Sequence, residues 1–400
     1  MATPKPDVET WNARYTYRLR VSSTASKALR DEWHRCRWIW NECVHQSKTA
    51  HSLTRPCGPA GLDKLLTAAR ASNAWLREGS SVPQQQTIRD YAKSRAKALK
   101  DIKEKLPTRQ RAGMPKPKKR RTSRTSLNYT RRGFSIKGGR LILSGGTRVT
   151  VVWSRELPTD PSSVRVYQDS LGHWYASFVV AAETRPLPET GQAIGIDWGV
   201  RDIATTTSDA HDLKHPQHGA RSAGNLAHYQ RMMARRKPPK GKPASAGYRE
   251  AKHHVARLHK KVVRQRQDTS RKWAKSVVRD HDHIAVEDFK PKFLAKSTMA
   301  RKAADAAIGS AKRELITMAG KHGRAIHLVN PAHTTMDCGT CGARAKHRLP
   351  LSQRTYTCIR CGAVSPRDKN SALVMLNRAG LNPAGVDRVR LDSPPDGQAA

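Results

Sequence analysis

Hydrophobic positions change their spacing along the first quarter of the chain, and the change predicts a strand followed by helices. Residues 14–22 alternate between apolar and polar side chains, as a half-exposed strand does. From about Ser26 the hydrophobic residues recur every three or four positions, which predicts an amphipathic helix. A second helix is predicted to begin near Pro83 and to end before Pro107. Its predicted inner face consists of Ile88, Tyr91, Ala92, Leu99 and Ile102.

Short strand-like segments follow, separated by glycine-containing turns. They cover residues 133–136, 140–143, 148–153, 163–167 and 174–180. Short strands at this spacing indicate a small barrel or sandwich, which the first strand could join from across the helices. The pattern therefore predicts one β domain that carries a helical insertion.

Two later segments are apolar enough to be buried strands, and each contains an acid. Asp197 lies within the run 193–200, and Glu287 lies at the end of the short run that begins at residue 283. A buried carboxylate without a partner is costly, so these acids need a cation or a metal. Asp368 is a third isolated acid, placed after a cysteine cluster. Three converging carboxylates are what a two-metal phosphodiesterase requires to hold Mg²⁺ or Mn²⁺.

Between the two apolar runs, the pattern predicts a long and strongly basic helical hairpin. It breaks at Pro238-Pro239 and Gly241 and then resumes a helical period up to about residue 277. From residue 231 to 279 the only acids are Glu250 and Asp268. The alternative is a solvated coiled surface. We favour a hairpin that grips phosphates, because so few acids are present to pair with its lysines and arginines.

The charge of the whole chain indicates a polyanionic partner. Among 400 residues, 75 Lys and Arg face 32 Asp and Glu, which gives a net charge of +43. Such an excess repels itself unless nucleic acid neutralises it, although a solvated basic face is the alternative. The candidate nucleic-acid contacts lie in a proline-broken linker over residues 109–124 and in the hairpin. They are Lys116, Lys118, Lys119, Arg120, Arg121, Arg235, Arg236, Lys260, Lys261 and Arg264.

Hydropathy and cysteine content indicate a soluble protein in a reducing compartment. No run of 18 apolar residues and no signal peptide is apparent, so we expect a cytoplasmic protein without a membrane partner. Four of the seven cysteines follow the pattern C-x2-C-x16-C-x2-C, which predicts a zinc site formed by Cys338, Cys341, Cys358 and Cys361. Cys36 and Cys43 fall on the apolar stripe of the first helix and are predicted to be core thiols.

The order of these motifs resembles the split RuvC nuclease of the transposon-encoded TnpB family and of the compact type V CRISPR effectors related to it. The resemblance covers nearly the whole chain. It rests on Gly195-Ile196-Asp197-Trp198-Gly199, Ala285-Val286-Glu287-Asp288-Phe289, Asn330-Pro331 with Thr334-Thr335, the two cysteine pairs, and Arg367-Asp368-Lys369-Asn370-Ser371-Ala372. Two residues depart from the family pattern, because Pro366 stands where relatives carry an acid and Ser371 stands where Ala is common.

The resemblance implies a multidomain α+β fold with an RNase H-like α/β nuclease domain. A wedge β-barrel would comprise residues 1–22 and 126–188, with a helical recognition lobe and basic linker at 23–125. The RuvC domain would comprise 189–330 and 367–382. It would be interrupted at 331–366 by a zinc ribbon that binds target nucleic acid, and followed by a tail at 383–400.

The resemblance also implies an RNA-guided DNA endonuclease that cuts next to a short flanking motif. Asp197, Glu287 and Asp368 match the family's catalytic, metal-binding acids, with two catalytic Mg²⁺ or Mn²⁺ ions and one structural Zn²⁺. The implied partners are a guide RNA and double-stranded target DNA, with one or two protein chains on each guide. Two alternatives remain open: an RNA-guided DNA-binding protein that silences without cutting, and a zinc-ribbon nucleic-acid-binding or transposition accessory protein that needs no guide.

Overall fold

The computed structural model describes residues 10–108, 110–120, 122–239, 241–288, 298–350 and 352–382. The chain divides between Glu183 and Thr184 into two compact units. Among the described helices, none combines the length and the apolar composition that crossing a bilayer requires. The predictions for Arg109, Arg121, Phe289 and the tail fall outside the described residues.

The N-terminal unit contains an antiparallel seven-stranded sheet, which is nearly closed into a barrel. Its strands are β1 (Thr10–Arg20), β2 (Ser126–Thr130), β3 (Phe134–Lys137), β4 (Arg140–Leu143), β5 (Arg148–Val152), β6 (Ser163–Gln168) and β7 (Trp174–Glu183). Their order is β2-β6-β7-β1-β5-β4-β3, so the first strand lies in the middle of the sheet. The predicted barrel with a helical insertion is therefore confirmed. The strand β2, which directly follows the basic linker, was not predicted.

Four helices are inserted between β1 and β2. They are α1 (Ser23–Ser52), α2 (Pro59–Ser72), α3 (Ala74–Arg77) and α4 (Ser81–Lys103). The predicted inner face of α4 is confirmed at Ile88 and Tyr91 but is wrong at Leu99 and Ile102, which are 40% and 44% exposed. Ala98 and Asp101 occupy the buried positions on the last turns of this helix. Each lies one residue before a predicted core position, so Leu99 and Ile102 flank the buried face.

The basic linker after α4 is extended, as predicted, but it is also fixed by α1. The indole N–H of Trp40 donates to the carbonyl oxygen of Lys116 at 2.9 Å, and Asn41 accepts the backbone N–H of Lys118 at 2.7 Å. The Lys118 ammonium lies 3.7 Å from the centre of the Trp40 ring, a cation–π contact. The linker therefore follows a defined path. Among its other described basic side chains, Arg111 is half-buried, whereas Lys116, Lys119, Arg120 and Arg124 are exposed.

The C-terminal unit is built on a five-stranded mixed sheet. Its strands are β8 (Ala193–Trp198), β9 (Asp202–Thr206), β10 (Leu213–Lys214), β11 (His283–Glu287) and β12 (Ala325–Val329), in the order β10-β9-β8-β11-β12. The strands β8, β9 and β10 are antiparallel, whereas β8, β11 and β12 are parallel. The two apolar runs are thus neighbouring central strands, as their composition predicts.

Helices surround this sheet. They are α5 (His218–Arg221), α6 (Ala223–Arg235), α7 (Ala246–Asp280), α8 (Ala300–Ala306), α9 (Ile308–Lys321) and α10 (Arg367–Arg378). The predicted hairpin corresponds to α6 and α7, whose rings Tyr229 and His254 stack at 4.4 Å. The buried residues of α7 are concentrated in its last third, where Trp273 and Val277 pack under the sheet. Its N-terminal two thirds are largely exposed and basic.

The helix α10 lies directly against β8, and a glycine makes this approach possible. A Cβ atom placed on Gly195 would lie 2.0 Å from the carbonyl oxygen of Ala372. Since that oxygen belongs to a helix backbone, the clash could be relieved only by moving α10. Gly195 is therefore required by packing.

We expect Gly195→Ala to lower the free energy of unfolding of the C-terminal unit by about 3 kcal/mol or more, because overpacking against backbone cannot relax. Gly224→Ala on α6 is the matched control, since nothing lies within 4 Å of its added methyl group. That change should alter stability by less than about 1 kcal/mol. Hydrogen exchange of peptides from β8 and α10 measures both, and equal protection in the two variants would contradict the packing argument.

Candidate functional site

Two of the three predicted acids lie side by side at one edge of the C-terminal sheet. Asp197 is the fifth residue of β8, and Glu287 is the last residue of β11. In the parallel pairing of these strands Ile196 lies opposite Val286, so the next residues on each strand are also neighbours. Glu287 is 8% exposed and Asp197 is half-buried. The edge formed by the carboxyl ends of these strands therefore carries two poorly solvated carboxylates.

The third acid reaches the same place from a different element. Asp368 lies in the first turn of α10, the helix that packs on β8. Burial raises the pKa of Asp197 well above its usual value, and the charges of Glu287 and Asp368 raise it further, while Arg367 opposes them. Electrostatic effects of this kind on the Asp197 carboxyl require Glu287 and Asp368 to lie near it. The three acids, separated by 90 and 81 positions in sequence, are thus brought together.

Glu287 is perturbed mainly by burial. Its pKa rises to about 7, although the backbone N–H of Trp198 and the charge of Lys312 lower it and Asp288 raises it. The Lys312 ammonium donates to Asp288 Oδ1 at 2.8 Å and to the carbonyl oxygen of Glu287 at 3.2 Å. The cluster therefore holds more negative charge than its nearby cations neutralise. Such an excess favours cation binding.

Pro366, the departure closest to Asp368, fits the local structure. It ends the strand β14 (Val364–Pro366), which pairs with β13 (Thr355–Thr357), and it precedes the first residue of α10. Proline is suited to this junction because its extended backbone ends the strand and its missing N–H is not needed by the helix. The next backbone N–H, that of Arg367, donates to the carbonyl oxygen of Arg354 at 2.7 Å. Asp368 is therefore presented from a defined turn.

The four predicted cysteines form one compact cluster. Their sulfur atoms all lie within 4.8 Å of one another, with 3.8 Å between Cys338 and Cys361 and 3.6 Å between Cys341 and Cys358. A tetrahedral zinc ion with Zn–S bonds of about 2.3 Å places its sulfurs about 3.8 Å apart. The cluster therefore has the size to bind zinc. Among the described residues, these four cysteines are the group whose ligand atoms lie close enough together to hold a metal ion.

Each cysteine pair is shaped by the same turn. The N–H of Cys338 donates to Ala343 at 2.8 Å, and the N–H of Gly342 donates back to Cys338 at 3.0 Å. Around Cys358 the equivalent bonds measure 2.9 Å and 3.0 Å. Gly342 and Gly362 have φ values of +73° and +72°, which glycine adopts without strain. The two turns, residues 338–342 and 358–362, are here called the first and second knuckle.

Sequence reasoning did not assign the residues that join this cluster to the acid centre. The Asn370 side chain accepts the N–H of Gly339 at 2.8 Å and donates to the carbonyl oxygen of Asp337 at 2.7 Å. Asn377, two turns further along α10, donates to the carbonyl oxygen of Gly339. Asn370 is 4% exposed, so its amide is a buried connector. A polar residue two positions after an acid, on the buried side of a helix, is the signal that could have found it.

Lys369 connects the same helix to the end of β9 and to the segment that follows it. Its ammonium donates to Asp209 at 2.6 Å, to Asp212 at 3.0 Å and to the carbonyl oxygen of Thr206 at 2.8 Å. The four residues Arg367, Asp368, Lys369 and Asn370 therefore point to four different surroundings. This arrangement fixes α10 about its own axis.

The structure places the predicted nucleic-acid contacts on two surfaces, which lie in different units. Those on the hairpin are exposed at Arg235, Arg236, Lys261 and Arg264, and half-buried at Lys260. In the linker, Lys118 is half-buried against Trp40, and burial lowers its pKa. Arg121 lies outside the described residues. The exposed members have the charge that phosphate contacts require.

The chain combines a mixed α/β fold, a barrel-like sheet and a four-cysteine cluster near grouped acids. Known proteins that match it identify the class to which it belongs. Residues 177–298 match the family OrfB_IS605, described as a probable transposase, and residues 309–375 match the Cas12f1-like TNB domain. A protein from Streptomyces pristinaespiralis named "Putative RNA-guided DNA endonuclease" is 33% identical over 313 residues, which cover 77% of this chain and 73% of that protein. The chain belongs to the TnpB family.

Other relatives are similar to part or to most of the chain. "Putative RNA-guided DNA endonuclease InsQ" of Escherichia coli strain K12 is 25% identical over 380 residues, with 90% of each chain covered. "CRISPR-associated DNA-binding protein Cas12m" of Allomeiothermus silvanus is 29% identical over 135 residues, which cover 32% of this chain and 25% of that protein. Among solved structures, a Cas12f1 chain in a complex with sgRNA and target DNA is similar with a TM-score of 0.51. It is 14% identical, with 92% of this chain and 98% of that chain covered, and shows a shared fold.

We expect the purified protein to contain about one zinc ion per chain, because the four sulfurs match one tetrahedral site. Cys358→Ser should lose that zinc and expose residues 338–366 to protease, since metal binding supplies the folding free energy of such small units. Cys57→Ser, which changes a half-buried thiol outside the cluster, is the matched control and should retain zinc. Elemental analysis measures both, and a zinc-free native protein would contradict the assignment.

The raised pKa of Asp197 predicts that Asp197→Asn stabilises the protein in magnesium-free buffer. A carboxyl whose pKa is raised by folding costs stability once pH exceeds its unfolded value of about 4, and the cost grows until pH passes the folded value. The melting temperature of the variant should therefore gain on that of the parent as pH rises above about 5. Asp268→Asn on exposed α7 should show a constant difference, and a constant difference for Asp197→Asn would contradict the prediction.

Proposed function

We propose that this protein is an RNA-guided DNA endonuclease that hydrolyses phosphodiester bonds at a RuvC-type centre formed by Asp197, Glu287 and Asp368. The proposed partners are a guide RNA and double-stranded target DNA, in line with the names of the relatives and of the similar structure. The guide would supply sequence specificity by base pairing, and protein residues would read a short flanking motif.

The observation that carries the proposal is the meeting of three carboxylates at one sheet edge. The sheet order β10-β9-β8-β11-β12 corresponds to three antiparallel strands followed by two parallel ones, the order expected of an RNase H-like domain. Two acids come from its adjacent central strands, and the third comes from the helix packed on them. A structural ion pair does not explain this grouping. The charges of two other acids raise the pKa of Asp197, and the charge that lowers it is chiefly that of Arg367.

The donor set fits hard divalent cations. Carboxylate oxygens are the preferred ligands of Mg²⁺ and Mn²⁺, and the negative excess at this edge would be relieved by them. Such ions would supply the charge that activates water and stabilises the leaving oxygen. The residues of the chain orient the site: the Trp198 N–H supports Glu287, and Lys312 holds Asp288 and the end of β11.

We further propose functions for the surrounding segments. The barrel, helical insertion and linker would hold the guide, together with the basic hairpin of α6 and α7, whose exposed arginines and lysines suit a phosphate backbone. The cysteine cluster would hold one structural zinc and so order the residues that lead into α10. Residues 189–330 and 367–382 would form the nuclease domain, and residues 331–366 the inserted ribbon.

A second candidate function is guided DNA binding without cleavage. It is favoured by the similarity to a protein named for DNA binding, although only 25% of that protein is covered. The presence of all three acids favours cleavage. The two functions separate in one assay, because a protein that binds a guided target and leaves it intact with Mg²⁺ and with Mn²⁺ would be a silencer.

Asp197→Ala should abolish cutting of a guided target, a loss of at least about 1,000-fold, while binding of that target survives, because one of the charges that hold the cations is removed. Asp160→Ala, which removes an acid that is 83% exposed in the N-terminal unit, is the control and should cut normally. The protein would be purified with its co-expressed RNA, and cutting and binding would be followed on a labelled duplex. Unchanged cutting by Asp197→Ala would overturn the assignment of the centre.

A further inference from the structure

The side chain of Lys369, the residue after the third acid, is fully occupied at the end of β9. An ammonium group has three N–H donors. Here they meet three acceptors: Asp209 at 2.6 Å, Asp212 Oδ1 at 3.0 Å and the carbonyl oxygen of Thr206 at 2.8 Å. The side chain of Asp209 is 93% exposed, whereas those of Lys369 and Asp212 are 22% and 11% exposed. The contact with Asp212 is therefore shielded from solvent, unlike an ordinary surface ion pair.

Asp212 is itself fixed by the residue that Lys369 also contacts. The backbone N–H of Thr206 donates to Asp212 Oδ1 at 2.8 Å, and the carbonyl oxygen of Thr206 accepts from Lys369. Thr206 is the last residue of β9 and is fully buried. These three residues therefore form a closed ring of hydrogen bonds. We call residues 206–212 the anchor turn.

The anchor turn begins beside the strand that carries the first acid. In the antiparallel pairing of β8 with β9, Asp197 lies opposite Thr205, the residue before Thr206. On the other side of the contact, Lys369 directly follows Asp368 in the first turn of α10. The ammonium of Lys369 therefore joins the neighbour of one acid to the strand that pairs with the other. This short path restricts how far Asp368 can move from Asp197.

The helix α7 holds the anchor turn independently of Lys369. The indole N–H of Trp273 donates to the carbonyl oxygen of His211 at 2.7 Å. The ring nitrogens of His211 lie 3.0 Å from Asp280 Oδ2 and 3.1 Å from the Ser208 hydroxyl oxygen. Trp273 is buried in the core under the sheet. The anchor turn is thus a fixed point of the C-terminal unit, to which Lys369 attaches the beginning of α10.

We propose that Lys369 is a positioning residue of the acid centre, which holds Asp368 in place relative to Asp197 through Asp212 and the end of β9 and so sets the affinity for the divalent cations. This proposal rests on the proposed function and deepens it. Lys369 acts only through Asp368, because its three donors are occupied by the anchor turn. Residues that orient the ligands of a metal in this way commonly change its affinity when they are replaced.

The test replaces the ammonium and measures cation binding directly. Lys369→Met keeps an unbranched apolar stem and removes the three donors. Mn²⁺ is titrated into the zinc-loaded full chain freed of nucleic acid, and free Mn²⁺ is followed by electron paramagnetic resonance. The binding that Asp197→Ala abolishes belongs to the acid centre, and Lys369→Met should weaken it about tenfold. In cutting assays of the guided protein, the half-saturating Mg²⁺ concentration should rise by a similar factor, while the rate at saturating Mg²⁺ approaches that of the parent. A variant that only folds less completely would lower the maximal rate and keep the half-saturating concentration.

Two further variants keep the test specific. Asp212→Asn weakens the same contact without changing its shape, so it should also weaken Mn²⁺ binding, and it tests the proposal if Lys369→Met folds poorly. The double variant should bind Mn²⁺ no more weakly than the weaker of the two single variants, because both changes act on one contact. Lys214→Met is the matched control, since it removes a 76% exposed ammonium that lies 3.6 Å from Asp202 on the same strand β9. It should bind and cut like the parent. Additive losses in the double variant, or an equal loss in Lys214→Met, would overturn the proposal.

The outcomes also separate this proposal from the proposed function. If the parent cuts a guided target and Lys369→Met has the Mn²⁺ affinity and the Mg²⁺ dependence of the parent, the nuclease assignment stands and the positioning role is wrong. If Lys369→Met weakens Mn²⁺ binding but the parent never cuts, the positioning role stands and the nuclease assignment fails. If the parent binds no Mn²⁺ that Asp197→Ala abolishes, the assignment of the acid centre is wrong and the positioning role is overturned with it.

Discussion

The close approach of α10 to β8 is the constraint on which the rest of the C-terminal unit depends. Only glycine at position 195 lets the helix backbone come near enough, because a methyl group there would meet the carbonyl oxygen of Ala372 at 2.0 Å. That approach places Asp368 beside Asp197 at the sheet edge. It also aligns Asn370 with the first knuckle and Lys369 with the loop after β9. One packing contact therefore sets the geometry of the acids and the attachment of the cysteine cluster together.

The three acids of the centre destabilise the folded protein electrostatically, and their surroundings offset this cost only in part. Burial and mutual repulsion raise the pKa of Asp197, and Glu287 titrates near neutral pH. A protein selected for stability alone would replace one of these acids, since an unpaired buried charge costs several kcal/mol. Their retention in the centre of a well-packed sheet fits a site whose cation arrives from outside. Carboxylate oxygens suit hard ions such as Mg²⁺, which also bind water and phosphate oxygens.

Much of this architecture could be predicted from the sequence, because its signals are local or strongly patterned. Alternation located β1, helical spacing located α1, α6 and α7, and the cysteine spacing found the cluster without any family knowledge. The failures have physical causes. Leu99 and Ile102 lie one residue beyond the buried Ala98 and Asp101 on α4, so periodicity alone assigned them wrongly to the core. The roles of Asn370 and Lys369 depend on partners about 30 and 160 positions away, and no local pattern encodes such contacts.

The cysteine cluster directly precedes α10 in the chain, so a metal bound there would help to fix the helix that carries Asp368. The strand β14 runs into α10 with only the Pro366 junction between them, and Arg367 is bound on both its backbone and its side chain by the segment 350–354. Without a folded cysteine cluster, the segment 338–366 has a core of little more than Tyr356 and the cysteines. A metal held by the four cysteines would supply its order, as in other small metal-stabilised units. The first turn of α10, which contains Asp368, is thus held by packing on β8 and by the cysteine-cluster segment that precedes it in the chain. Because two independent contacts hold Asp368, it keeps its position when a charged strand binds at the site. Packing on β8 alone would not ensure this.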